Sequence, residues 1–208
     1  GAGVGMSGFG WKAGIGTASR VVDLDGEGFT VGALVLTNTG EPSELRIGGV
    51  QVGLELRPDA DAKPAARSAG FPAREPSPDD AAASTDDGSI IILVATDAAL
   101  SHRQLERIAK RAALGLGRTG ATASHGSGDF IIAFSTTGRV SADGRELIDD
   151  SRRVREPQLS SLFSATAESV EEAIINSLLR AETLTGRDGR TRYEIPIPGL
   201  LEVLQGRR

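Results

Sequence analysis

The sequence predicts a layered α/β domain. Three observations carry that prediction. Two strand-length apolar runs near the start are joined by a hairpin signal, a continuous apolar run fills Ser89–Thr96, and two later stretches show one apolar stripe at helical spacing. The 208 residues suffice for one sizeable domain or two small ones. Hydrophobic residues make up 39% and aromatic ones only 4%, so the core must be built from Val, Ile, Leu and Ala.

Residues 1–17 are Gly-rich and read as a looping segment. Strands are expected over 18–24 and 29–37, with Asp25-Gly26-Glu27-Gly28 as the hairpin turn between them. A third short apolar stretch covers 50–56, after Gly48-Gly49. Residues 58–88 carry Pro58, Pro64, Pro72, Pro76 and Pro78 among Ala, Ser and Asp, without hydrophobic period, and read as a flexible linker. Ser89–Thr96 then runs apolar without alternation, the pattern of a strand buried on both faces. Ser101 and Gln104 form a capping box for a helix whose stripe is Leu105, Ile108, Ala109, Ala112 and Leu116, ending at Gly115 and Gly117. A further strand is expected over 129–135, then a polar hairpin around Gly138 and Gly144. Pro157 opens a long helix burying Leu159, Leu162, Phe163, Val170, Ile174, Leu178 and Leu179. A turn at 186–189 and a short helix over 200–204 complete the chain.

Composition removes several classes of function. Without Cys there is no disulfide framework, thiolate zinc site or cysteine nucleophile. Two His are too few for a histidine-rich metal centre, and no cofactor is expected. Residues 1–88 hold 7 basic and 13 acidic side chains and the whole chain has a net charge of −5, so no nucleic-acid partner is expected. No apolar run approaches the roughly 20 residues of a membrane span, so no membrane partner is expected either. The chain opens on Gly1 inside a Gly-rich segment and is expected to be the C-terminal part of a longer protein. A cytoplasmic location is expected, with the periplasm left open because any targeting segment would lie upstream.

Gly3-Val4-Gly5-Met6-Ser7-Gly8 has the glycine spacing of a dinucleotide loop but lacks the strand before it and the helix after it that such a loop needs, and a tight structural loop is the better reading. His125 could act as a general base, although a lone His in a polar loop is more often structural or exposed. Ser89 is the informative residue. A serine hydroxyl needs a neighbouring base, and no His-Asp pairing is evident. If the Gly88–Ser89 bond is cut, Ser89 gains an α-amine with a pKa of about 7.7–8.0, near enough to its own hydroxyl to act as base. Gly88 leaves its carbonyl open to attack. The competing reading is a serine that merely begins a strand after a loop. Ser127 and Asp129 lie two apart at the start of a strand, where a hydroxyl and a carboxylate can share one side, or can equally form a Gly-rich turn. Asn38, at the end of the strand expected over 29–37, can offer an amide N–H to an oxyanion or can simply form a turn with Thr39-Gly40.

Gly1-Ala-Gly-Val-Gly-Met6, Gly14-Ile-Gly-Thr-Ala-Ser-Arg20, Gly88-Ser89-Ile-Ile-Ile92, His125-Gly-Ser-Gly-Asp129 and Glu172-Ala-Ile-Ile-Asn-Ser-Leu178 together resemble the DmpA-type aminopeptidases. That group includes the β-peptidyl aminopeptidases and the L-aminopeptidase/D-esterases. The resemblance implies a four-layer αββα sandwich shared with the ornithine acetyltransferases, here with its N-terminal part missing. It implies a precursor that cuts itself between Gly88 and Ser89. Residues 1–88 would then be the C-terminal part of an α chain and 89–208 the β chain, together one catalytic domain. Carried over, Ser89 is the nucleophile, Ser127 and Asp129 are the supporting hydroxyl and acid, and Asn38 helps form the oxyanion hole. The implied reaction releases an N-terminal D-, L- or β-amino acid from peptides, amides or esters, in a homotetramer of processed subunits. An acyltransferase of the ornithine acetyltransferase type is the alternative on the same fold, but that family uses Thr, so Ser89 favours hydrolysis. An inactive ligand-binding relative is a further alternative.

Overall fold

The computed structural model describes residues 1–58, 88–138 and 152–206. Two short strands, β1 (Ser7–Gly8) and β2 (Trp11–Lys12), pair with each other ahead of the main sheet. The sheet is built from β3 (Ile15–Leu24), β4 (Glu27–Asn38), β5 (Ser89–Thr96) and β6 (Phe130–Ser135), in that order. β3–β4 and β4–β5 are antiparallel, while β5–β6 is parallel. A parallel pair needs a crossover, and helix α1 (His102–Arg118) supplies it. Helix α2 (Leu159–Leu179), a small hairpin of β7 (Leu184–Thr185) and β8 (Thr191–Arg192), and helix α3 (Ile197–Gln205) follow.

Asp25 and Gly26 form the β3–β4 turn, both with positive φ (57° and 88°), as a two-residue hairpin requires. Both strands run longer than the apolar pattern alone suggests, because ladder bonding continues through polar Thr17 and Asn38. The segment expected to be a loop over 1–17 instead contains β1, β2 and the start of β3. The apolar stretch at 50–56 forms a single bridge, Ile47 to Val50, and a 3₁₀ turn over Val52–Leu54 that buries Val52. Most of the expected linker, 59–87, and most of the expected hairpin around Gly138 and Gly144 lie outside the described residues.

Both long helices pack on one face of the sheet. Val31, Val35, Ile90, Ile92 and Val94 point to them and are buried. The closest approach is at Gly16, where a Cβ would fall 1.9 Å from the Ala173 carbonyl oxygen, so α2 lies against bare β3 backbone. Ser177 Oγ donates to Thr37 Oγ1 across the same seam (2.9 Å). The Ser101–Gln104 capping box forms as expected. Gly115 does not end α1, however: it is the contact that lets α1 approach α2, with Ala167 O only 2.5 Å from where its Cβ would stand, and the helix runs on to Arg118. Phe163 is half-buried beneath Arg107 and Arg111, whose guanidinium carbons lie 5.0 and 4.2 Å from its ring centre.

The opposite face of the sheet is open. Expected to be buried on both sides, β5 instead alternates, because the described residues place a layer on one side only. Ile91, Phe130, Ile132, Phe134 and Val21 are exposed there, Phe130 to 65%. Among the described residues the fold is thus a helical layer on one main sheet, two layers where an αββα sandwich has four, and the face of that sheet away from the helices is bare.

Candidate active site

Ser89 is the first residue of β5 and Asn38 the last of β4, and the two are direct cross-strand partners. Opposed residues in a ladder place their side chains on the same face. Here that is the face away from the helices, since Ile90 and Thr37 are the ones buried beneath them. Gly88 is pressed against the strand end: a Cβ on it would lie 2.9 Å from Thr39 Cα and 3.0 Å from Asn38 O. The residue before Ser89 therefore has to be small for a reason visible in the packing.

The third contributor is the turn that enters β6. Ser127 Oγ donates to Asp129 Oδ1 (2.7 Å), and the same oxygen accepts the Ile90 N–H (3.0 Å). Asp129 thereby ties the turn to the start of β5. The Gly128 N–H donates to Ser89 Oγ (3.1 Å). A donor on Oγ favours the alkoxide over the neutral hydroxyl and leaves the serine proton free to point elsewhere. On the other side, the Ser7 N–H donates to Asn38 Oδ1 (3.2 Å). An N–H can bond only the oxygen of an amide, so this contact settles which end of the Asn38 side chain is which and turns its NH₂ away from β1.

Ser89 and Asn38 thus meet at one corner of the open face with Gly88 beside them, and the turn of Ser127 and Asp129 reaches the same strand ends through the Gly128 N–H and the Ile90 N–H. His125 sits exposed on the turn at 125–126, with no hydrogen bond among the described residues. Gly3 to Gly8 leads into a two-residue strand and not a helix, which removes the dinucleotide reading. Among the described residues, no three His, Asp or Glu side chains come together as a metal site. Two contributors escaped sequence reasoning, the N–H groups of Gly128 and Ser7. Backbone donors carry no residue-type signature, and only the glycine between Ser127 and Asp129 hinted at a close approach. A small cavity of about 70 Å³ beside Gly88, lined in part by Thr39, Glu44 and Thr122, was equally invisible.

Residues 1–192 match the family described as peptidase family S58. The beta-peptidyl aminopeptidase BapA of Sphingosinicella microcystinivorans is 42% identical over 212 residues, covering 99% of this chain and 50% of that protein. Among solved structures, the PH0078 protein of Pyrococcus horikoshii OT3 is 47% identical with a TM-score of 0.82, over 100% of this chain and 51% of that one. The L-aminopeptidase D-Ala-esterase/amidase of Ochrobactrum anthropi, described as a prototype serine aminopeptidase with a variant of the Ntn-hydrolase fold, is 36% identical with a TM-score of 0.80, over 99% and 51%. The chain spans about half the length of the curated relative it matches. With a family match from Gly1 to Arg192 and relatives above 40% identity across the chain, this protein belongs to peptidase family S58.

Proposed function

We propose that this chain carries the nucleophile half of a serine aminopeptidase that activates itself by cutting between Gly88 and Ser89. The observation that carries the reading is the placement of Ser89: first in its strand, behind a glycine, opposite Asn38, with a backbone N–H on its hydroxyl. In self-cleavage, Ser89 Oγ attacks the Gly88 carbonyl carbon. The oxygen of the resulting tetrahedral centre takes up negative charge beside the Asn38 NH₂. The Gly88 C–N bond breaks, the serine proton passes by way of Ser127 and Asp129 to the leaving nitrogen, and Gly88 is left as an ester on Oγ. Water hydrolyses the ester, giving a Gly88 carboxylate and a free Ser89 amine.

That amine then does the work a histidine does elsewhere. It takes the Oγ proton as Oγ attacks the carbonyl of a substrate's N-terminal residue, and returns it to the departing amine or alcohol. The acyl-serine is hydrolysed by the same base acting on water. Beta-peptidyl aminopeptidase and D-Ala-esterase/amidase relatives support an N-terminal α- or β-aminoacyl group as substrate. The open apolar face around Ile91 and Phe130 offers a wall for its side chain.

Mass spectrometry of the purified full-length protein tests this. Two fragments are expected, the second beginning at Ser89, and a Ser89→Ala variant should stay in one piece. An intact wild type that releases p-nitroaniline from aminoacyl anilides would overturn the self-processing step. An intact and inactive wild type would overturn the whole reading.

A further inference from the structure

We infer that Lys12 is a positioning residue: through the Met6–Ser7 peptide its ammonium group holds the Asn38 amide in the orientation that presents NH₂ beside Ser89. The inference rests on the proposed role of Asn38 as an oxyanion donor.

Lys12 is only 7% exposed, yet among the described residues no carboxylate pairs with it. Its Nζ donates to the carbonyls of Gly3 (3.0 Å), Met6 (3.3 Å) and Ala13. Three N–H bonds use all three ammonium hydrogens, so nothing remains for a ligand. Burial pushes the Lys12 pKa below the usual lysine value. A buried cation held, among the described residues, by neutral carbonyls is a costly arrangement compared with an apolar side chain, and it calls for a purpose.

The Met6 carbonyl and the Ser7 N–H are two ends of one peptide plane. Because that plane is rigid and trans, fixing the oxygen fixes the direction of the N–H. Lys12 grips the oxygen end, and the Ser7 N–H donates to Asn38 Oδ1. A positive charge at the carbonyl also polarises the peptide and strengthens its N–H as a donor. The backbone closes the same loop: Lys12 is the ladder partner of Ser7, and the Ala13 N–H donates to Met6 O (3.2 Å). The amide torsion of Asn38 is soft and would otherwise allow either end to face the nucleophile. One further feature marks the segment as held against its preference. Phe9, two residues past Ser7, has φ of 51°, rare for a bulky residue, and its ring lies against Gly40, two residues past Asn38.

A double-mutant cycle in the full-length protein tests the inference, with Lys12→Met, Asn38→Ala and the pair, read as kcat and KM on an aminoacyl anilide. Lys12→Met is expected to lower kcat by about tenfold or more, with KM within about twofold. In the Asn38→Ala background the same change should cost almost nothing further, since the group it positions is gone. Effects that multiply, or a Lys12→Met loss carried by KM or by the folded fraction alone, would overturn the inference while leaving the role of Asn38 standing. An Asn38→Ala protein with unchanged kcat would instead remove the reading beneath it. Should Lys12→Met fail to fold, Lys12→Gln, which has two N–H donors for three carbonyls and no charge, is carried through the same cycle: a partial kcat loss of about threefold that vanishes in the Asn38→Ala background is expected, and no loss, or a loss that persists in that background, overturns the inference.

Discussion

Gly88 and His125 make opposite demands on the proposed chemistry. A side chain at position 88 would press on backbone, on Thr39 Cα and Asn38 O, which cannot swing aside as the end of a flexible side chain can. Gly88→Ala is therefore expected to slow precursor cleavage by roughly tenfold or more, equivalent to about 1.4 kcal/mol of barrier, while fragments once formed retain normal turnover. A time course of fragment appearance on a gel checks this. His125, exposed and unbonded among the described residues, should be dispensable. If the Ser89 amine is the base, kcat/KM should rise with pH on a limb centred near its pKa, about 7.7–8.0 or lower, and His125→Ala should leave that limb unmoved. A limb that disappears with His125→Ala would give the base to the histidine.

Between elements, the decisive contacts are those where one backbone touches another. At Gly16 the β3 strand meets α2 so closely that a methyl group would overlap the Ala173 carbonyl. Gly16→Ala should destabilise the fold by about 1–3 kcal/mol or more, because the helix must lift off the sheet, and urea denaturation measures it. Gly115 is the comparable point between α1 and α2, and it shows what local sequence cannot convey. A glycine near the end of an apolar stripe reads as a helix end; here the helix continues and the glycine is an interface. The α1 start was readable because a capping box is a local device, satisfied by residues three apart. The Val52–Leu54 turn was not, because Val52 is apolar for burial and not for strand pairing.

For the molecule as a whole, the bare face of the sheet is the dominant feature. Val21, Ile91, Phe130, Ile132 and Phe134 stand exposed on a surface that also carries the Ser89 corner. Contiguous apolar surface of this kind promotes association. Residues 1–208 expressed alone are expected to self-associate, and Phe130→Ser with Ile132→Ser should reduce that association in light scattering. A monomeric wild-type chain would show that the face is tolerated in water.

The sequence by itself determined which residue types are on hand for the proposed chemistry and where the principal strands and helices run. Hydroxyl, carboxylate and amide are residue types, and apolar period and capping are local patterns. Tertiary structure alone decided that Asn38 stands opposite Ser89, that Asp129 ties β6 to β5, and that N–H groups of Gly128 and Ser7 bond the side chains of Ser89 and Asn38. Every residue but proline offers the same backbone donor, so its use depends on register and turn geometry, which distant parts of the chain set together.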